Sequence, residues 1–135
     1  MPLLPDRAVV LLVEDDRDGR ILFAEWLKYA GFAVEQTHNG LQALERAFDL
    51  RPDAILTDLY IPGIDGYELT RRLRNDVRTR DIPILAMTGY GPFTQDPGRA
   101  DRAGCDAVLV KPCDPDRLTG TLARLITHAR SQRSA

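Results

Sequence analysis

The sequence predicts an α/β fold, a doubly wound sheet of five parallel strands covered by five helices. Apolar segments rich in β-branched residues alternate five times with segments of helical periodicity. The apolar segments are continuous runs, which is typical of parallel strands buried on both faces. Polar residues follow several of these runs directly, at the edge where such sheets bind ligands.

The first half of the chain predicts two strands and two helices. Residues 8–14, AVVLLVE, indicate a strand buried on both faces. A helix over residues 16–30 is followed by Gly31, which suits a helix end. Residues 32–38 form a more polar strand, which we expect at a sheet edge. Asn39 can cap the next helix. The predicted buried stripes are Leu22, Trp26 and Tyr29 in the first helix and Leu41, Leu44 and Phe48 in the second.

The second half predicts three strands and two clear helices. Residues 53–58 form the third strand, and a Pro/Gly loop leads from it to a helix over residues 67–75. Residues 82–88 and 106–110 form the fourth and fifth strands, and a helix over residues 114–128 follows. The apolar stripe of this last helix consists of Leu118, Leu122, Leu125 and Ile126.

The segment after the fourth strand is irregular. It contains Pro92, Pro97 and three glycines, and a proline inside a helix costs about 3 kcal/mol. We therefore expect a long loop and then a short fourth helix over residues 97–103.

Length and composition restrict the class of protein. The 135 residues fit one domain, over residues 7–128, with a polar, mobile tail over residues 129–135 and no output domain. The net charge of −2 favours neither nucleic acid nor anionic lipid, and no apolar run is long enough to cross a membrane. Cys105 and Cys113 have no metal-binding spacing, so we expect a cytoplasmic protein with reduced thiols.

Five polar residues stand at the ends of the predicted strands. Glu14 and Asp15 end the first strand, Asp58 the third, Thr88 the fourth and Lys111 the fifth. Neighbouring carboxylates repel unless a cation lies among them, and Mg²⁺ prefers carboxylate, water and phosphate oxygens. A carboxylate can also attack phosphorus, with a lysine and a hydroxyl stabilising the phosphoryl oxygens. Each residue alone is better explained as a surface or turn side chain, but the ordered set predicts a phosphoacceptor site at Asp58.

Four segments together resemble a known family. VLLVEDD, ILTDLYIPGIDGYEL, ILAMTG and AVLVKP are similar, in order and spacing, to the receiver domain of two-component response regulators. The resemblance covers residues 8–126. It implies a flavodoxin-like sheet with the strand order 2-1-3-4-5.

The resemblance implies roles for the acidic residues. Glu14 and Asp15 match the pair that holds magnesium, and Asp58 matches the phosphorylated aspartate. Tyr60, two residues later, would offer its backbone carbonyl to the metal. Independently of the resemblance, we expect the bulky rings of Tyr60 and Tyr90 to shield the phosphoryl group from water and slow its hydrolysis.

The resemblance also implies a switch, of which one half is missing. Thr88 matches the hydroxyl that meets the phosphoryl group, and Lys111 matches the family's lysine, with a cis peptide bond before Pro112. Three residues before the lysine the family often has Tyr or Phe, whose ring swings inward after phosphorylation. This chain has Val108 there. The irregular segment after the fourth strand belongs to the surface that this family commonly uses for partners.

Three functions remain open at this point. The first is a phosphoacceptor module, not an enzyme, which receives a phosphoryl group from a histidine kinase or a histidine phosphotransfer protein, as a stand-alone receiver or within a hybrid kinase. The second is a phosphorylation-independent interaction domain, which Val108 favours. The third is a phosphatase that forms an aspartyl-phosphate, but such enzymes have a second acid where this chain has Tyr60.

Overall fold

A computed structural model describes residues 7–89 and 96–133. The strands are β1 (Val9–Val13), β2 (Ala33–Thr37), β3 (Ala54–Asp58), β4 (Ile84–Thr88) and β5 (Ala107–Val110). The helices are α1 (Arg17–Tyr29), α2 (Gly40–Leu50), α3 (Gly66–Arg74), α4 (Arg99–Ala103) and α5 (Pro115–Arg133). None of the helices in this part of the chain is long and apolar enough to cross a membrane.

The five strands form one parallel sheet in the order β2-β1-β3-β4-β5. β1 lies inside the sheet, where Val10 pairs with Val34 of β2 and with Ala54 of β3. The order confirms the predicted doubly wound, flavodoxin-like fold. It also confirms the prediction that the more polar strand β2 lies at an edge.

Side chains of alternate strand residues build a separate core on each face of the sheet. On one face, Leu11 and Val13 belong to a cluster that includes buried residues of α2, α3 and α4. On the other face, Val10 and Leu12 belong to a cluster that includes buried residues of α1 and α5. The helices therefore cover both faces, as doubly wound sheets require.

The predicted buried stripes of α1 and α2 are largely wrong. In α1, Leu22 and Tyr29 are 47% and 94% exposed, because the helix packs through a neighbouring face, and Trp26 is half-buried. In α2, Leu41 is 51% exposed, and Leu44 and Phe48 are only partly buried. In α2 the buried residues are small and allow the helix to pack closely, which selects its buried face. The residues that are buried instead are Phe23, Ala24 and Leu27 in α1 and Gly40, Ala43 and Ala47 in α2.

The start of the predicted α4 and the end of the predicted α5 need adjustment. The fourth helix is short, as expected, but begins at Arg99, and residues 90–95 of the irregular segment, including Pro92, lie outside the described residues. The last helix continues to Arg133, so residues 129–133 are helical instead of forming the mobile tail that we expected. This extension of α5 is held to the sheet by Arg130, which donates to Asp53, directly before β3, at 3.3 Å.

Candidate functional site

The candidate site lies at the carboxyl edge of the sheet. Asp58 and Thr88 are the last residues of β3 and β4, Glu14 directly follows β1, and Lys111 directly follows β5. Because all strands are parallel, these four residues meet at one edge, although 97 residues separate Glu14 from Lys111. The predicted residues Glu14, Asp58 and Lys111 are in direct contact.

Lys111 bridges two carboxylates. Its Nζ donates to Glu14 Oε1 at 2.5 Å and to Asp58 Oδ2 at 2.6 Å, and its backbone N–H donates to Thr88 O at 2.7 Å. Glu14 and Asp58 are both buried. Charge-assisted hydrogen bonds of this kind are the strong ones in proteins, so the ammonium position beside Asp58 is held firmly.

The pKa values of the bridged groups follow from this arrangement. Burial raises the pKa of Glu14, the hydrogen bond from Lys111 opposes the rise, and the charge of Asp58 adds to it. For Lys111, burial lowers the pKa, but the hydrogen bonds to Asp58 and Glu14 outweigh burial, so its pKa is raised. Lys111 therefore remains a cation throughout the neutral range.

The β3–α3 loop is closely tied to Asp58. The backbone N–H of Tyr60 donates to Asp58 Oδ1 at 2.9 Å, and the hydroxyl of Thr57 donates to Asp58 O at 2.8 Å. The first residue of α3 is Gly66, where a Cβ would lie 2.6 Å from Asp58 O. Only glycine allows this approach, so the start of α3 is seated directly on the end of β3.

Thr88 carries an unusual hydroxyl. The residue is fully buried, and its Oγ1 has no hydrogen-bond partner among the described residues. A buried hydroxyl without a partner costs free energy, and such groups in folded proteins call for an explanation. A ligand oxygen at the neighbouring Asp58 would supply the missing acceptor.

The acidic segment after β1 is shaped by its own backbone contacts. Asp16 caps α1 by accepting from the N–H of Gly19 at 2.8 Å. Arg20 Nη1 donates to the carbonyls of Glu14 at 2.9 Å and Asp15 at 3.4 Å. The predicted ligand Asp15 is exposed. In residues 7–89 and 96–133, no three or more His, Cys, Asp or Glu side chains are grouped as a metal cluster.

Sequence reasoning missed four residues that support the site. Thr57 and Gly66 hold the end of β3, Arg20 holds the acidic segment, and Tyr67 joins the loop to the core. Two sequence signals pointed to these residues: Arg20 lies one turn after the acidic residues 14–16, and Gly66 lies at the start of a predicted helix. Neither signal indicates the contact by itself, because both contacts depend on tertiary structure. The predicted cis peptide bond Lys111–Pro112 is present.

Comparison with known proteins decides the family. The response regulator receiver domain matches residues 10–123. The chain belongs to this family. The polar-differentiation response regulator DivK of Brucella anthropi is 35% identical over 113 residues, which are 84% of this chain and 91% of DivK.

Two further matches differ in how much of the other protein they cover. The DNA-binding dual master transcriptional regulator RpaA of Synechocystis is 35% identical over 117 residues, 87% of this chain but 48% of RpaA, so the chain spans about half of that relative. The crystal structure of the receiver domain of a Pseudomonas aeruginosa sensor histidine kinase, with magnesium coordinated in its active-site cleft, superposes with a TM-score of 0.83. It is 32% identical, and the match covers 90% of this chain and 99% of that one. A phosphoacceptor role in two-component signalling fits this family.

Val108 and Tyr90 are two residues to which the family resemblance drew attention. Val108 of β5 is partly buried and packs against the core cluster that contains Tyr67 of α3 and Ala100 and Ala103 of α4. The position where the family often has an inward-turning ring is therefore occupied by a small side chain. Tyr90, which we expected to shield the site, lies outside the described residues.

Proposed function

We propose that Asp58 accepts a phosphoryl group from a phosphohistidine of a histidine kinase or a histidine phosphotransfer protein, in a reaction that requires Mg²⁺. The observation that carries the proposal is the Lys111 bridge, which places a fixed cation 2.6 Å from Asp58 Oδ2. The chain would assist only its own phosphorylation and dephosphorylation, as a regulatory domain over residues 7–128 in the cytoplasm.

The transfer exchanges one bond to phosphorus for another. A carboxylate oxygen of Asp58 attacks the phosphorus atom, a P–O bond forms, and the P–N bond to the donor imidazole breaks. The electron pair of that bond stays on the imidazole nitrogen, which takes up a proton. Lys111, charged and held by Glu14, faces the negative charge that collects on the phosphoryl oxygens.

The donor atoms present fit a magnesium ion. Glu14, Asp15 and Asp58 offer carboxylates, and Tyr60 offers a backbone carbonyl, all oxygen ligands of the kind that hard cations prefer. Magnesium needs only one or two protein carboxylates beside water and phosphate oxygens, so a three-residue cage is not required. When bound, the ion neutralises charge on the phosphoryl group.

Thr88 would report the phosphoryl group to the rest of the domain. Its hydroxyl, which has no partner in the part of the chain that the structure describes, can donate to a phosphoryl oxygen, which would favour a second arrangement of the end of β4. Phosphorylation would then change which protein the surface binds. Val108 supports the alternative of a phosphorylation-independent interaction domain, because the ring that would complete the family's switch is missing.

Intact-mass spectrometry after incubation with acetyl phosphate and MgCl₂ tests the proposal. We expect the wild type to gain one phosphoryl group and Asp58→Asn to gain none. Asp53→Asn, at the opposite end of β3, is the matched control and is expected to be phosphorylated. Chelation with EDTA should abolish the gain, and Asp15→Asn should raise the magnesium concentration that is required. If neither acetyl phosphate nor a phosphorylated histidine phosphotransfer protein modified the wild type, the interaction domain would be the better explanation.

A further inference from the structure

Tyr67 is a buried tyrosine that the proposed chemistry does not use. It is the second residue of α3, it is 1% exposed, and it belongs to the core cluster on the α3–α4 face of the sheet. Buried tyrosine hydroxyls normally have a partner. Here the hydroxyl of Tyr67 lies 3.3 Å from the hydroxyl of Tyr60. Burial, followed by this hydrogen bond, raises the pKa of Tyr67, so the phenol stays neutral and available for hydrogen bonding.

On the side of the site, Tyr67 is connected to Asp58 through Tyr60. The two rings meet edge to face, with centroids 6.0 Å apart. The backbone N–H of Tyr60 donates directly to Asp58 Oδ1. A phosphoryl group on Asp58 replaces one carboxylate charge by a larger charge with three acceptor oxygens, so the backbone at Tyr60 must adjust to it.

On the opposite side, Tyr67 is connected to α4. The guanidinium of Arg99, the first residue of α4, lies 3.9 Å from the centroid of the Tyr67 ring. This is a cation–π contact at close range. Arg99 also lies 3.9 Å from Asp65, which caps α3 by accepting from Glu68 N–H at 2.8 Å. Tyr67 therefore contacts both the loop of the phosphoacceptor and the start of α4.

We propose that Tyr67 is a positioning residue that couples the phosphorylation state of Asp58 to the position of α4, through the Tyr60 hydroxyl on one side and Arg99 on the other. The inference deepens the proposed function and rests on it. It assigns the coupling to α3, in a chain where β5 carries Val108 instead of an aromatic residue. Gly66 at the start of α3 packs directly against the backbone carbonyl of Asp58, and Tyr67 is the next residue. A displacement at the end of β3 is therefore passed to Tyr67 through Gly66 alone.

Hydrogen–deuterium exchange of the full chain, with and without acetyl phosphate and MgCl₂, tests the coupling. In the wild type we expect phosphorylation to change the exchange of residues 99–103. Tyr67→Phe removes only the hydroxyl, so it should keep the fold and the gain of one phosphoryl group but lose most of the change at α4. Tyr29→Phe is the matched control on an exposed tyrosine, and it should behave as the wild type.

A second pair of variants tests the other side of Tyr67. Arg99→Met should also lose the change in exchange, and Arg99→Lys, which keeps a cation for the ring, should restore part of it. A full change at α4 in Tyr67→Phe would overturn the coupling, and so would a phosphorylated wild type with no change there. A wild type that gains no phosphoryl mass would overturn the proposed function itself, and the mass measurement shows this before any exchange is recorded.

Discussion

At the scale of single residues, two buried threonines at the site differ in their hydrogen bonds. Thr57 and Thr88 are both fully buried, on the neighbouring strands β3 and β4. The hydroxyl of Thr57 donates to Asp58 O, whereas that of Thr88 has no partner among the described residues. A hydrogen-bonded hydroxyl stabilises the fold, and an unpaired one destabilises it. Thr88 is thus better explained by what binds at the site than by folding.

This contrast predicts opposite effects of one substitution. Thr88→Val removes, at nearly constant volume, a hydroxyl that has no partner within residues 7–89 and 96–133, and should raise the free energy of unfolding by about 1 kcal/mol. Thr57→Val removes a satisfied hydroxyl and should lower it by about 1 kcal/mol. Urea unfolding of both variants, followed by circular dichroism, measures the difference. Destabilisation of similar size in both would show that Thr88 has a structural partner.

At the scale of the elements, α3 is anchored through its last turn. The guanidinium of Arg74 donates to the carbonyls of Gly104, Arg80 and Ile82 at 2.7–3.0 Å and to the carboxylate of Asp106 at 2.8 Å. The last turn of α3 is thereby joined to the loops before β4 and β5. Three neighbouring arginines form local ion pairs on the surface: Arg71 and Arg72 with Glu68, and Arg78 with Asp76.

The anchor predicts a large effect of a substitution that keeps the charge. Arg74→Lys should lower the free energy of unfolding by about 2 kcal/mol, because one ammonium cannot replace the planar fork that satisfies four acceptors. Arg72→Lys, two residues earlier on the exposed face of α3, should leave stability unchanged within error. Thermal and urea unfolding compare the two. Equal effects would mean that Arg74 contributes only its charge.

At the scale of the whole molecule, one charged cluster joins three strands. Glu14 follows β1, Asp58 ends β3 and Lys111 follows β5, so their contacts close the carboxyl edge of the sheet. Because burial already raises the pKa of Glu14, the ionised cluster depends on the cation of Lys111. The stability of the whole domain should therefore depend on pH through this cluster.

Lys111→Met should make that dependence steeper. A carboxyl group whose pKa is higher in the folded state contributes stability that is complete below its unfolded pKa and is lost as pH rises through its folded pKa. Without Lys111 the folded pKa of Glu14 rises further. The variant should thus be less stable than the wild type by about 2 kcal/mol at neutral pH, with a smaller deficit as pH falls towards the ordinary Glu value of 4.5.

The pH series has a matched control. Lys28→Met changes the other lysine of the chain, which is exposed on α1, and should follow the wild type at every pH. Urea unfolding across the series measures the difference. A deficit of Lys111→Met that stays constant between acidic and neutral pH would show that Glu14 does not depend on Lys111.

The sequence by itself determined the strands, the order of the elements and the set of polar residues at the strand ends. These features depend on local patterns, because a short apolar run rich in β-branched residues favours a strand buried on both faces, and Asn39 caps α2 through its own side chain. The tertiary structure decided the buried faces of α1 and α2, the end of α5 and the partners of Arg74 and Tyr67. Each of these depends on contacts between residues far apart in the chain. In α1, the spacing of apolar residues fits a buried face with Leu22 as well as one with Leu27. Only packing against the sheet selects the face with Leu27.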